Sequence, residues 1–216
     1  MSKEIEIKML VGTLALQQMV NDIHRGSVYD GVTVQSITQS YITPPGAPGM
    51  VRVRSTRHVS GVPDSQARPV LCLKSSADTD NGLVTCNEYE SVLFGNPEIV
   101  DALNTLFPTI HKTRIKIPYM VATEDGINES VTLEIDTNFR IRDEVLNLTV
   151  CEVEFTDAEQ AARLLPALSA IGPKLVGKQW SNHSLCFATP ATLRHLDSIA
   201  EQMVIEYHTT KITQGE

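Results

Sequence analysis

The chain has 216 residues, 42% of them hydrophobic, and a formal net charge of −8 at pH 7. That length supports one sizeable core or two small ones. The negative balance excludes nucleic-acid or anionic-membrane binding by bulk charge, and there is no run of about 18 apolar residues to span a bilayer. The chain enters a charged strand at once, so no signal peptide is expected. Cys72, Cys86, Cys151 and Cys186 are scattered without a CxxC, which reads as reduced thiols in a cytoplasmic protein. The histidines do not cluster at zinc-ligand spacing. The N-x-S/T matches at Asn128, Asn147 and Asn182 read as chance.

In chain order, the first element is KEIEIKML. Glu4, Glu6 and Lys8 fall on one face and Ile5, Ile7 and Met9 on the other. This period of two marks a β-strand over about 3–11. A helix follows over 13–26 and ends at Gly26. Strands are then expected near 32–42, 50–58, 69–76 and 84–91, with turn-rich connections between most of them. A helix over 96–107 precedes strands near 112–121, 130–137 and 148–156. Helices over 156–172, with Pro166 inside, and over 189–208 close the chain. No internal repeat and no long linker is present. We therefore expect one tunnel domain over 1–188, with 189–216 appended to it as a helix and tail.

The alternation of the first strand returns in the others. Arg52 and Arg54 share a face against Val51 and Val53. Lys74 stands beside Leu73. Glu88 and Glu90 share a face, as do Lys112, Arg114 and Lys116, then Glu134 and Asp136, then Glu152 and Glu154. Solvent-facing strands usually mix in Ser, Thr, Asn and Gln. Like charges two residues apart repel, so an ordinary surface gains nothing by grouping them. The helices carry apolar stripes that need the apolar strand faces as partners. The charged faces then point inward, and eight strands can close around a small lumen. The fold class is α+β: an eight-stranded antiparallel β-tunnel with helices packed outside. Ions buried there cost several kcal/mol each unless paired or ligand-bound. Guanidinium forks suit phosphate oxygens, and carboxylates suit a hard divalent cation such as Mg²⁺ or Mn²⁺.

The ordered set of motifs resembles the CYTH domain, the triphosphate tunnel metalloenzymes. It comprises Glu4-x-Glu6-x-Lys8, Gln39-x-Tyr41, Arg52-x-Arg54, Lys74, Glu88-x-Glu90, Lys112-x-Arg114, Glu134-x-Asp136 and Glu152-x-Glu154. The resemblance implies a metal-dependent triphosphatase, with inorganic triphosphate favoured over thiamine or nucleoside triphosphates. A non-catalytic binding module and a class IV-type adenylate cyclase are the alternatives. It implies that Arg52, Arg54, Lys74, Lys112 and Arg114 grip phosphate, with Lys8 assisting. Glu4, Glu6, Glu152 and Glu154 would hold metal with Asp136, and Glu88, Glu90 and Glu134 would be further tunnel carboxylates. Lys112 with Tyr41 would support water activation. The partners implied are a small-molecule triphosphate, no nucleic acid and no membrane, with a homodimer left open.

The chain departs from the family late. Gln179-Trp180 stands where Arg-Tyr is usual, so Lys174 or Lys178 would replace a basic contact or be solvated. The His-Phe pair that precedes ExExK in class IV cyclases is absent before Glu4, which favours the hydrolase.

Overall fold

The computed structural model describes residues 2–60, 69–75, 78–80, 82–93, 97–123, 126 and 128–214. Most of the connection at 60–69 therefore lies outside the described residues. Ten strands and five helices follow in the order β1 (Ser2–Leu10), α1 (Leu14–His24), β2 (Thr33–Tyr41), β3 (Gly49–Ser60), β4 (Val70–Ser75), β5 (Asp78–Asp80), β6 (Leu83–Val92), α2 (Pro97–Leu106), β7 (Thr109–Ala122), β8 (Asn128–Ile141), β9 (Glu144–Leu146), β10 (Val150–Phe155), α3 (Ala158–Leu168), α4 (Asn182–Phe187) and α5 (Pro190–Gln214). A single 3₁₀ turn, Lys178–Trp180, precedes α4.

Eight strands close a ring in the order β1, β10, β8, β7, β2, β3, β4, β6 and back to β1. Each of these pairings is antiparallel. Closure removes the free sheet edges. The short strands β5 and β9 only extend β6 and β8, and neither was expected from the sequence. The eight expected strands are the eight of the ring. The expected helices are also present, and α5 runs further than 189–208.

Charge alternation sets which face is which. Ile5, Ile7, Ile115, Ile117, Leu133, Ile135 and Val153 point outward, where Val20 and Ile23 of α1 and Ala161, Leu164 and Leu168 of α3 cover them. A second core closes one end of the tunnel. There Leu10, Tyr41, Ile110, Phe139 and Ile141 meet Leu175, Trp180, Leu185 and Cys186, with Leu193, Leu196 and Ala200 of α5 behind. The segment leading to this plug is tied to β1: the Leu10 N–H donates to the Pro173 carbonyl and the Leu175 N–H to the Lys8 carbonyl, both at 2.9 Å. The plug helix α4 had no counterpart in the expected elements. At six residues it carries too little periodic pattern to be read locally.

Candidate functional site

The lumen holds a cavity of about 350 Å³. Its wall carries Glu4, Glu6 and Lys8 of β1, Arg52 and Arg54 of β3, Lys74 of β4, Glu88 and Glu90 of β6, Arg114 of β7, Glu134 of β8, and Glu152 and Glu154 of β10. Each side chain is placed by its strand's period of two. The opposite faces of β1, β7, β8 and β10 are apolar and covered by α1 and α3, whereas Leu73 of β4 and Tyr89 of β6 stand exposed outside.

Register decides which charges pair. Glu152 lies opposite Lys8 on β1 and opposite Glu134 on β8. Lys8 donates to Glu152, and Arg114 donates to Glu134, Glu152 and both oxygens of Asp136. Burial alone would raise the Glu152 carboxyl, but Lys8, Arg114 and Lys112 hold it well below the usual carboxylate range. On the far wall Lys74 donates to Glu4, and Arg54 donates to Glu90 at 2.7 Å. Arg52 makes a longer contact to Glu88, at 3.3 Å. Its Nε is buried with no hydrogen-bond partner among the described residues. A buried unpaired guanidinium N–H costs about 1–3 kcal/mol or more, a cost that an anionic ligand in the lumen would relieve.

Glu4, Glu6 and Glu154 bring one carboxylate oxygen each within 4.8 Å of one another. Burial, and then the like charges of Glu134, Glu4 and Glu6, push Glu154 up to about 7. Three hard oxygen donors that repel one another suit a divalent cation. The expected metal set is thereby divided. Glu4, Glu6 and Glu154 converge, whereas Glu152 and Asp136 are taken up by Lys8, Arg114 and Lys112.

Three other expected residues lie away from the cavity wall. Lys112 sits at a bulge, where the β7–β8 register shifts between His111 and Thr113. Its ammonium is fully buried against Asp136 and lies 5.9 Å from the centre of the Phe139 ring. Burial draws its pKa down to about 8, in spite of Asp136. Tyr41 belongs to the second core. Its hydroxyl donates to Gln39 at 3.3 Å, its ring lies 5.3 Å from His183, and burial pushes its pKa up to about 12 beside Arg52. Lys178 is exposed on the 3₁₀ turn.

Several lumen residues escaped the sequence reading. Gln35 and Thr56 line the cavity beside Lys116, which the sequence already set on one face with Arg114. Thr56 continues the face of Arg52 and Arg54 and Gln35 that of Gln39, each at a spacing of two or four, so the signal was present in the alternation. Cys72 and Cys86 also face inward, and their thiols donate to Glu88 at 2.7 Å and Glu4 at 3.1 Å. Asn182 reaches the wall from α4, and no strand pattern could announce it. All four cysteines are free and buried.

Fold and site together define a closed antiparallel β-tunnel whose lumen sets guanidinium and ammonium groups beside converging carboxylates. No family model matches the sequence, and no curated protein matches it. Among solved structures, the chain is similar to the inorganic triphosphatase NE1496, with 22% identity and a TM-score of 0.49 over 88% of this chain and 98% of that one. It is also similar to HpAC1 from Hippeastrum, an adenylyl cyclase candidate with a dominant triphosphatase activity, at 17% identity and a TM-score of 0.47 over 87% and 98%. PH1012 from Pyrococcus horikoshii follows at 16% identity and 0.45, over 78% and 89%.

Proposed function

We propose that this chain is a triphosphate tunnel metalloenzyme of the CYTH type: a metal-dependent hydrolase of a triphosphate, with inorganic triphosphate the favoured substrate. The observation that carries the reading is one cavity of about 350 Å³ in which Arg52, Arg54, Lys74 and Arg114 face the convergent carboxylates of Glu4, Glu6 and Glu154. Apart from Ile37, its described lining is polar or charged, so neither a base nor a ring is offered an apolar pocket there.

Arg52 and Arg54 bind phosphate oxygens from one wall, and Arg114 and Lys8 from the other, with Lys74 between. These fixed cations stabilise the charge that shifts to the departing phosphate. Glu4, Glu6 and Glu154 would hold Mg²⁺ or Mn²⁺, which when bound supplies charge neutralisation on phosphate oxygens and an activated water. We assign Lys112 and Tyr41 to positioning rather than proton transfer, because both are sealed from the cavity. Lys112 holds Asp136, which in turn orients Arg114, and Tyr41 lies beside Arg52. Four free thiols suit a reducing, cytoplasmic setting.

The test is a panel of tripolyphosphate, ATP and thiamine triphosphate, each with Mg²⁺ and with Mn²⁺, with products separated by chromatography. Orthophosphate release from tripolyphosphate is the expected result. Pyrophosphate with a cyclic nucleotide would make the chain a cyclase, and binding without turnover would make it a binding module.

The carboxylate cluster also sets a dependence on pH. The folded-state pKa of Glu154, about 7, lies above the ordinary 4.5. The stability linked to this group is therefore present below 4.5 and lost as pH rises through about 7. A divalent cation relieves the repulsion that remains. Saturating Mn²⁺ or Mg²⁺, about 100-fold over Kd, is expected to raise Tm by roughly 5–10 °C at about pH 8. The rise should be much smaller at about pH 5.5, where protons compete. Equal shifts at both values, read by scanning calorimetry, would remove the cluster as the cation site.

A further inference from the structure

We infer that the chain forms a two-fold dimer through α5, independently of the tunnel chemistry. Outside the lumen, a groove of about 460 Å³ lies between α1 and α5. Val20 of α1, Leu148, and Ala200 and Val204 of α5 line it, with Ile205 at its edge, 58% exposed. The α5 wall of this groove is Asp197, Ala200, Glu201, Val204 and Ile205. The helical spacing of three and four carries the same face on to His208, Lys211 and Ile212. Ile212 is 77% exposed.

One helix face thus has an acidic half bordering a groove and a basic half bearing a projecting isoleucine. A two-fold contact must be self-complementary, because the same patch meets itself. Antiparallel pairing of two α5 helices crossing near Ile205 satisfies that condition. His208 and Lys211 of one copy come beside Glu201 and Asp197 of the other, and Ile212 comes over the groove at Ala200 and Val204. Asp197 is held in place for this, accepting the Asn147 N–H at 2.9 Å.

The end of α5 points to the same occupant. Its anchoring to the body reaches Tyr207, whose hydroxyl donates to the Ala170 carbonyl at 2.7 Å. Beyond it, Thr209, Thr210, Ile212 and Thr213 are exposed. β-Branched residues are weak helix formers, and a short exposed helical overhang is marginal in water without packing. A second copy supplies that packing.

Sedimentation equilibrium of the full chain tests the inference. At about 100 µM, where a micromolar interface is nearly saturated, a particle of twice 23.8 kDa is expected. Ile212→Asp should raise the dimer dissociation constant about 30-fold or more, with an unchanged circular dichroism spectrum, since the side chain it replaces is exposed. Glu201→Lys should weaken the dimer, and adding Lys211→Glu should restore it. A monomer under these conditions overturns the inference. So does a dimer that survives Ile212→Asp, which would use another face, and so does a groove occupied only by a different protein.

Discussion

Replacing Arg114 by alanine is expected to lower the unfolding free energy by about 3–5 kcal/mol. Arg114 is buried and donates to three carboxylates on two neighbouring strands: Glu134 and Asp136 of β8, and Glu152 of β10. Asp136 is itself fully buried. Truncation removes one positive charge and leaves those acids to repel one another in a closed space. Lys8 still reaches Glu152, Lys112 still reaches Asp136 and Lys116 still reaches Glu134, so the loss is large without abolishing the network. Arg114→Lys should recover part of it, because the charge returns but the fork that spans both Asp136 oxygens does not. Urea denaturation at neutral pH reads the difference. A loss below about 1 kcal/mol would place this pair among weakly coupled surface ions and would contradict the buried network.

The double change Arg52→Ala/Arg54→Ala is expected to lower kcat/KM for triphosphate by about 10³-fold or more, since removing one preorganised donor costs about 10²–10³. Stability should change much less than in the Arg114 variant. Glu88 keeps Lys74 at 3.5 Å and the Cys72 thiol at 2.7 Å, and Glu90 is exposed. Arg52 has the longer carboxylate contact, Tyr41 beside it and an Nε with no partner among the described residues, so on the proposed function its loss should cost substrate binding more than stability. Arg57, on the same strand but exposed on the outer face, is the control, and Arg57→Ala should leave kcat/KM within about twofold. Equal losses in the two variants would mean that β3 acts through general charge and not through its lumen face.

Much of this was legible before any coordinates. The spacing of Glu4, Glu6 and Lys8, of Arg52 and Arg54, and of Glu152 and Glu154 is a property of single strands. A strand's side chains alternate whatever it later pairs with, so which residues share a face follows from the chain alone. That the shared faces are ionic and the opposite ones apolar then sets which side is the lumen. The alternation allows eight strands to close or nearly close, and the pairing of β1 with β6 is what closes the ring.

What the alternation could not carry is pairing across strands. Glu152 and Glu154 are equivalent as a sequence pattern, yet one is clamped by Lys8 and Arg114 while the other joins Glu4 and Glu6. The difference arises from the register of β10 against β8 and against β1, the latter a relation between residues 144 positions apart. Lys112 and Tyr41 belong to motifs on lumen-facing strands, but the bulge at Lys112 and the plug around Trp180, His183 and Leu185 withdraw them from the cavity. The plug is likewise what leaves Lys178 on the surface. Local periodicity therefore assigns each side chain to a face, and only the closed ring, with one end filled, decides which charges neutralise one another and which are left for a ligand.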